Sequence, residues 1–339
     1  MRVLLVKTSS LGDVIHTLPA ISDALRVDPG LTFDWVVEEA YADLPTRHPG
    51  VARVIPVALR RWRSNPLAAL LGGEVIRFVR DLRAERYDLI IDAQGLIKSA
   101  VIAWAARGRR IGFNRESVRE RLAASSYHHG LRVSRRLHAI ARVRRLFSLV
   151  FNYPLPRSVA DFGLCSARPL EAGGRPCLMF LHGTAWQTKL WPEPYWVRLT
   201  RMATDHGFDV RFPWGSDEER LRAKRIIAAA GAGVMSAHLE LPELIPEMMS
   251  MAGVVGGDSG LVHLAAACGL PVVALYGPTD VALTGAVGER CSDLAADFEC
   301  SPCLLKACTW RGEAEVDPPC FTDLTPERVW QTLERAISR

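Results

Sequence analysis

A chain of 339 residues, 49 % hydrophobic and 23 % charged, has room for two globular domains and is neither disordered nor fibrous. No run of about 18 apolar residues marks a membrane span. The first residues enter a strand pattern with no secretory leader, so a cytoplasmic protein is expected. The net charge of +5 hides an asymmetry: residues 1–150 carry 25 Lys and Arg against 14 Asp and Glu, whereas residues 151–339 carry 17 against 23. A basic front half suits an anionic partner. Its clusters "RRWR" (60–63) and "RGRR" (107–110) offer the planar fork that pairs with carboxylate or phosphate.

The first apolar run, "RVLLVK" (2–7), reads as a strand. It runs into "VKTSSLGDVIHTLPA" (6–20), a hydroxyl-rich turn that opens a helix with Val14, Ile15, Leu18, Ile21 and Leu25 on one face. Asp13 sits at that helix start. A carboxylate there caps backbone N–H groups and complements the helix dipole; it also suits a base aimed into a cleft. The local residues leave both roles open. "TFDWVVEE" (32–39) and "RVIPVAL" (53–59) read as strands, and a helix over about 73–86 leads into the buried strand of "YDLIIDAQG" (87–95), with a further helix over about 96–106. Strands alternating with helices imply a parallel sheet, whose ligands bind at the carboxyl ends of the strands. Asp13, Asp92, Gln94 and Lys98 fall at or just past such ends.

A stretch rich in Pro and Gly at 151–175 breaks the rhythm and marks a domain boundary. Strands then recur at 177–183, 209–215, 252–260 and 271–280, with helices between them. A last helix over about 325–337 has Thr325 as N-cap and Pro326 in its first turn. The expected organisation is two α/β domains, 1–165 and 170–324, parted by a cleft, with the terminal helix (about 325–339) packing back on the first.

Three strand-end motifs in the second domain carry chemistry. "HGTAWQTKLWP" (182–192) offers backbone N–H groups and Lys189 to a phosphate. "PWGSDEE" (213–219) supplies carboxylates of the kind that hold ribose hydroxyls. In "GGDSGLVHLAAACG" (256–269) a Gly-rich turn starts a helix that Asp258 or Ser259 caps, and His263 follows on its first turns. "GDSG" matches the nucleophile motif of trypsin-like proteases, but its α/β setting excludes that reading. No G-x-G-x-x-G follows the first strand, which argues against a nicotinamide dehydrogenase. Four of eight cysteines, Cys300, Cys303, Cys308 and Cys320, are spaced C-x2-C-x4-C-x11-C. The count suits a zinc site, but the irregular later spacing reads as reduced cysteines, and no catalytic metal is expected.

Together, "VKTSSLGDVIHTLPA", "FDWVVEEAYADLP" (33–45), "RVIPVALRRWR" (53–63), "DAQGLIKSA" (92–100), "FPWG" (212–215) and "GDSGLVHLAAA" (257–267) with "YGPTD" (276–280) resemble the lipopolysaccharide heptosyltransferases, in the same order over nearly the whole chain. "RRWR" and "DAQGLIKSA" point to the type that adds the first heptose of the inner core. The resemblance implies the GT-B fold, two facing Rossmann-like domains with acceptor on the first and nucleotide sugar on the second. It implies inverting transfer of heptose from ADP-heptose to the Kdo of Kdo2-lipid A, with no cofactor, no metal and no nucleic acid. It also implies peripheral contact with the cytoplasmic face of the inner membrane. By the same resemblance Asp13 is the general base and Lys189 neutralises the departing ADP. Thr184 and Ala185 line the phosphate loop, Glu219 holds the ribose, and Leu239 stands near the adenine. Asp258, Ser259, Gly260 and His263 surround the diphosphate and sugar, while Arg60, Arg61, Arg63 and Lys98 meet the anionic acceptor. Two departures stand out: Ala185 can contribute only its backbone, and Leu239 replaces the methionine of enteric members. The rival readings are a GT-B transferase that adds a later heptose and a non-catalytic module that binds anionic lipid A.

Overall fold

Each half of the chain builds its own six-stranded, all-parallel sheet. In the computed structural model, which describes residues 1–164 and 174–339, the chain divides into two units, Met1–Leu164 and Cys165–Arg339. Of the boundary expected at 151–175, residues 165–173 lie outside the described residues. Among the described residues no helix is long and apolar enough to cross a membrane.

In the first unit, β1 (Arg2–Val6), β2 (Thr32–Glu38), β3 (Val51–Val57), β4 (Leu89–Asp92), β5 (Arg109–Phe113) and β6 (His129–Leu131) are ordered β3-β2-β1-β4-β5-β6. Val3, Leu4, Leu5 and Val6 are fully buried. A parallel strand covered on both faces reads as such an unbroken apolar run. β1 pairs with β4 in the register Val3↔Leu89 to Val6↔Asp92, so the two strands end side by side. Strand order reverses here, and the loops leaving β1 and β4 diverge to open a crevice.

The second unit repeats the order. β7 (Cys177–Leu181), β8 (Asp209–Phe212), β9 (Val234–Met235), β10 (Gly253–Gly257), β11 (Val272–Tyr276) and β12 (Cys291–Ala295) run β12-β11-β10-β7-β8-β9, which places its reversal between β7 and β10. Its core gathers Phe180, Trp191, Trp196, Phe212 and Phe321. The terminal helix Pro326–Ile337 puts Val329, Trp330 and Leu333 into that same core. This corrects the expectation that it packs back on the first domain. Its apolar stripe is satisfied by the nearer sheet, where it lies against β10, β11 and β12.

One buried group in the first unit ties stability to pH. Gly50 N–H donates to His48 Nδ1 at 3.0 Å, so the ring is neutral and its Nε2–H faces Ser22 Oγ at 2.9 Å. Burial pushes its pKa down to about 4, against a smaller opposing pull from Asp161. An unfolded chain takes up that proton near pH 6.5. The stability from the neutral ring is therefore complete above about pH 6.5 and is lost as pH falls toward the folded value, at about 1.4 kcal/mol per pH unit. The thermal midpoint followed by circular dichroism should fall over this window, and His48→Asn should flatten the slope. An unchanged slope would contradict the assignment.

Candidate active site

Two polar clusters form where the strand orders reverse, one in each unit. In the first, Ser10 N-caps the short helix Leu11–Ile15, and Asp13 returns the contact by accepting Ser10 N–H on Oδ2 at 3.1 Å. Such a reciprocal cap would explain a surface aspartate. Asp13 does more. Its Oδ1 accepts from Lys7 Nζ at 2.8 Å and from Arg119 at 3.3 Å. The Lys7 side chain is only 5 % exposed, Asp13 is 17 % exposed and Arg119 43 %. Burial opposes the Asp13 charge, but Lys7 and Arg119 outweigh it and hold the carboxyl well below its usual range. Asp13 is thus a fixed carboxylate that water can still reach.

Around it the chain gathers further cations. Lys98 Nζ donates to Ser9 Oγ at 3.0 Å, and Gln94 fastens the same turn by donating to Ser9 O at 2.8 Å and accepting from Thr8 N–H at 2.6 Å. Arg142 lies over the Phe113 ring at 4.2 Å and donates to the Ser117 carbonyl. Burial and the nearby Arg119 and Arg135 push its pKa down to about 10. Asp92, the other strand-end carboxylate, is sealed in. It accepts from Gln94 N, Gly95 N, Ser99 Oγ and Tyr127 Oη, and burial raises its pKa. Asp92 shapes the turn.

The "RRWR" arginines divide. The Arg61 fork is filled by two carboxylates, Glu39 at 3.0 Å and Glu74 at 2.6 Å, so it bridges two segments of its own unit. Arg60 reaches Tyr41 Oη at 2.7 Å with its guanidinium over that ring, and Arg63 is exposed. Both have donors to spare for a ligand.

In the second unit, Lys189 ends the 3-10 turn Gln187–Lys189, and its Nζ donates to Asp258 Oδ2 at 2.7 Å and Asp258 O at 3.3 Å. His263 Nε2 stands 3.3 Å from the other carboxylate oxygen. Burial works against the Asp258 charge, and the contacts to His263 and Lys189 reverse that and hold it well below the carboxylate range. Ser259 caps the helix Gly260–Ala267, and its Oγ is buried with no hydrogen-bond partner among the described residues. A buried donor left open beside helix N–H groups suits an anion. Thr184 and Ala185 line a pocket with Gln187, Ser216, Glu219 and Arg222. Glu219 accepts from Gly215 N–H at 2.7 Å, and it also faces an apolar slot formed by Trp214, Leu239, Leu244 and Leu261. A carboxylate at the lip of an apolar slot suits the sugar and base of a nucleoside.

Burial and the neighbouring Cys300, Cys303 and Cys308 push the Cys320 thiol up to about 12, so it stays protonated. Among the described residues no three His, Cys, Asp or Glu side chains are grouped to hold a metal ion. Sequence reasoning missed Lys7, Arg119 and Arg142. Lys7 was detectable as the polar residue ending β1, whereas Arg119 meets Asp13 across 106 positions, a contact no local pattern signals.

Residues 75–312 match the model of glycosyltransferase family 9, the heptosyltransferases. Lipopolysaccharide heptosyltransferase 1 of Pseudomonas aeruginosa is 47 % identical, over 99 % of this chain and 98 % of its own. Among solved structures, the E. coli heptosyltransferase WaaC with ADP superposes with a TM-score of 0.86 at 36 % identity, covering 99 % of this chain and all of the other. The same enzyme with ADP-2-deoxy-2-fluoro heptose gives 0.82 at 35 % identity, over 99 % of each chain. With the two parallel sheets, this similarity bears out the GT-B fold class.

Gly257 gives the second cluster a test. A Cβ there would stand 2.9 Å from the Lys189 backbone oxygen. Gly257→Ala should push the Lys189 turn off Asp258 and cost about 1–3 kcal/mol in chemical denaturation; an unshifted midpoint would refute this packing.

Proposed function

The chain belongs to glycosyltransferase family 9, the heptosyltransferases, and from that premise we propose how its two clusters divide one inverting transfer. The donor is ADP-heptose, held by the second unit. The apolar slot of Trp214, Leu239 and Leu261 takes the adenine, and Glu219 takes the ribose hydroxyls. Backbone N–H groups at Thr184 and Ala185, the Ser259 hydroxyl and the start of the Gly260–Ala267 helix receive the diphosphate. Negative charge grows on ADP as the anomeric bond breaks. Donors already fixed in place stabilise it without reorganising, and the Lys189 ammonium is the strongest of them.

The acceptor is the Kdo of Kdo2-lipid A, met by the first unit. Arg60, Arg63, Lys98 and Arg119 offer the cations that a sugar carboxylate needs, and Arg61 positions the helix of Arg60 and Arg63 through Glu39 and Glu74. Asp13 takes the acceptor proton. Its low pKa makes it a weak base toward a resting alcohol. As the new bond forms, the attacking hydroxyl becomes strongly acidic, so a carboxylate fixed beside it suffices. Such general-base help is worth about 10²–10⁴-fold. One displacement, with entry opposite the leaving ADP, inverts the sugar carbon. The observation that carries this reading is the convergence of Lys7 and Arg119 on Asp13, which a helix cap alone does not need.

The lipid anchor of that acceptor puts the first unit at the cytoplasmic face of the inner membrane. The helix Ile97–Ala105, which carries Lys98, exposes Ile97, Val101 and Trp104 at i, i+4 and i+7. Exposed Leu122 belongs to the turn Arg121–Ser126 packed against it, and Arg107, Arg109 and Arg121 lie exposed nearby in the chain. Apolar side chains beside arginines suit anionic headgroups.

Asp13→Ala should cut transfer from ADP-heptose to a Kdo-bearing lipid A acceptor by about 10²-fold or more, with ADP affinity unchanged. Activity above about a tenth of wild type would sink the base assignment. In co-sedimentation with anionic vesicles, Trp104→Glu should release the protein while sparing transfer to a detergent-dispersed acceptor. Undiminished vesicle binding would argue against this surface.

A further inference from the structure

The chain between β12 and the turn Pro319–Phe321 has no part in the reaction as described so far. It is held as a unit of its own: the Trp310 indole stands edge-on to Phe298 at 5.5 Å and donates to Glu299. It is also fastened to the corner after β11, where Ser301 Oγ donates to Gly277 O at 2.5 Å and Leu304 N–H to Pro278 O at 2.8 Å.

From that anchorage it reaches the Lys189 turn. Thr188 Oγ1 donates to the Leu305 carbonyl at 2.6 Å. The next residue, Lys306, sets its ammonium 5.7 Å from the centre of the Trp186 ring, and Lys189 Nζ lies 4.6 Å from the same centre. Trp186 follows Ala185 of the phosphate loop directly. One indole therefore carries two cations beside the pocket assigned to the diphosphate. The ring attracts each cation through its face, while the two like charges repel one another. Asp258 pairs with Lys189, but Lys306 has no acidic partner among the described residues. The pair is short of one negative charge.

We propose that Lys306 is a second cation for the diphosphate of the nucleotide sugar, delivered to the Trp186 ring by the segment between β12 and Pro319. The proposal rests on the donor assignment above. Asp258 already offsets part of the Lys189 charge, so Lys306 adds to the positive charge that Lys189 presents to the departing ADP. Its ammonium sits on a flexible stem and moves toward a phosphate oxygen while Trp186 guides it. The Thr188–Leu305 hydrogen bond keeps turn and segment in register, so one ligand engages both.

The test compares ADP with adenosine, which lacks the phosphates, by calorimetry on the full chain. Lys306→Met keeps the stem and removes the charge. ADP affinity should fall about tenfold, adenosine affinity should hold, and the salt dependence of ADP binding should flatten. Lys306→Arg should restore most of the ADP affinity. If ADP and adenosine weaken together, Lys306 only shapes the loop and the proposal is overturned. Unchanged ADP affinity overturns it too, with the donor assignment intact. A wild-type chain that binds adenosine no worse than ADP would remove the donor assignment itself.

Discussion

The first unit depends on a buried ammonium meeting a carboxylate at the end of its central strand. Lys7 is the first residue past β1, and its Nζ donates to Asp13 at 2.8 Å and to the Ala93 carbonyl at 3.4 Å. Burying an ion costs several kcal/mol unless its partners are complete. Here they come from the β1 loop, the β4 loop and, through Arg119, the chain beyond β5. Loss of either member leaves the other charged and stranded, so helix start and carboxylate stand or fall together. The capping role of Asp13 and the chemical role proposed for it therefore draw on one arrangement: the cap orients the carboxylate, and the cations keep it ionised.

The second unit solves the same problem with the parts exchanged. Its carboxylate, Asp258, follows the strand end, and its ammonium, Lys189, comes from the neighbouring loop. Gly257 is needed because the Lys189 backbone passes where a side chain would be. In both units the parallel sheet brings two strand ends side by side, and charges that would be solvated elsewhere are held there in fixed geometry. Fixed dipoles of this kind stabilise developing charge without paying for reorganisation during the reaction.

Charge count is a poor guide to charge availability. The arginines of "RRWR" look equivalent in sequence, yet Arg61 is consumed by Glu39 and Glu74 while Arg60 and Arg63 keep free donors. The difference lies in which side of a six-residue helix each occupies and which carboxylates the fold brings to that side. Lys306 shows the converse, an unremarkable lysine in a Cys- and Pro-containing stretch that gains a role only because Trp186 lies beneath it.

Much of this was legible in the residues themselves. β1, β4, β10 and β11 are apolar on both faces, and polar side chains in the turns and helix starts that follow β1 and β10 stand out, which draws attention to Asp13 and Asp258 before any fold is known. Four strands escaped that logic. β5 begins Arg109-Arg110, β6 and β9 have three and two residues, and β12 reads CSDLA. Short or polar strands at or near a sheet edge are defined by the neighbour they pair with rather than by their own side chains. The terminal helix likewise announced an apolar face through Val329, Trp330 and Leu333, but not which sheet would cover it. Composition and periodicity determined the alternating elements and the strand ends where chemistry gathers, because burial acts on each residue locally. Only the tertiary structure decided that Arg119 reaches Asp13, that Arg61 is spent and that Lys306 lies over Trp186, because those contacts join distant segments through packing that no local pattern encodes.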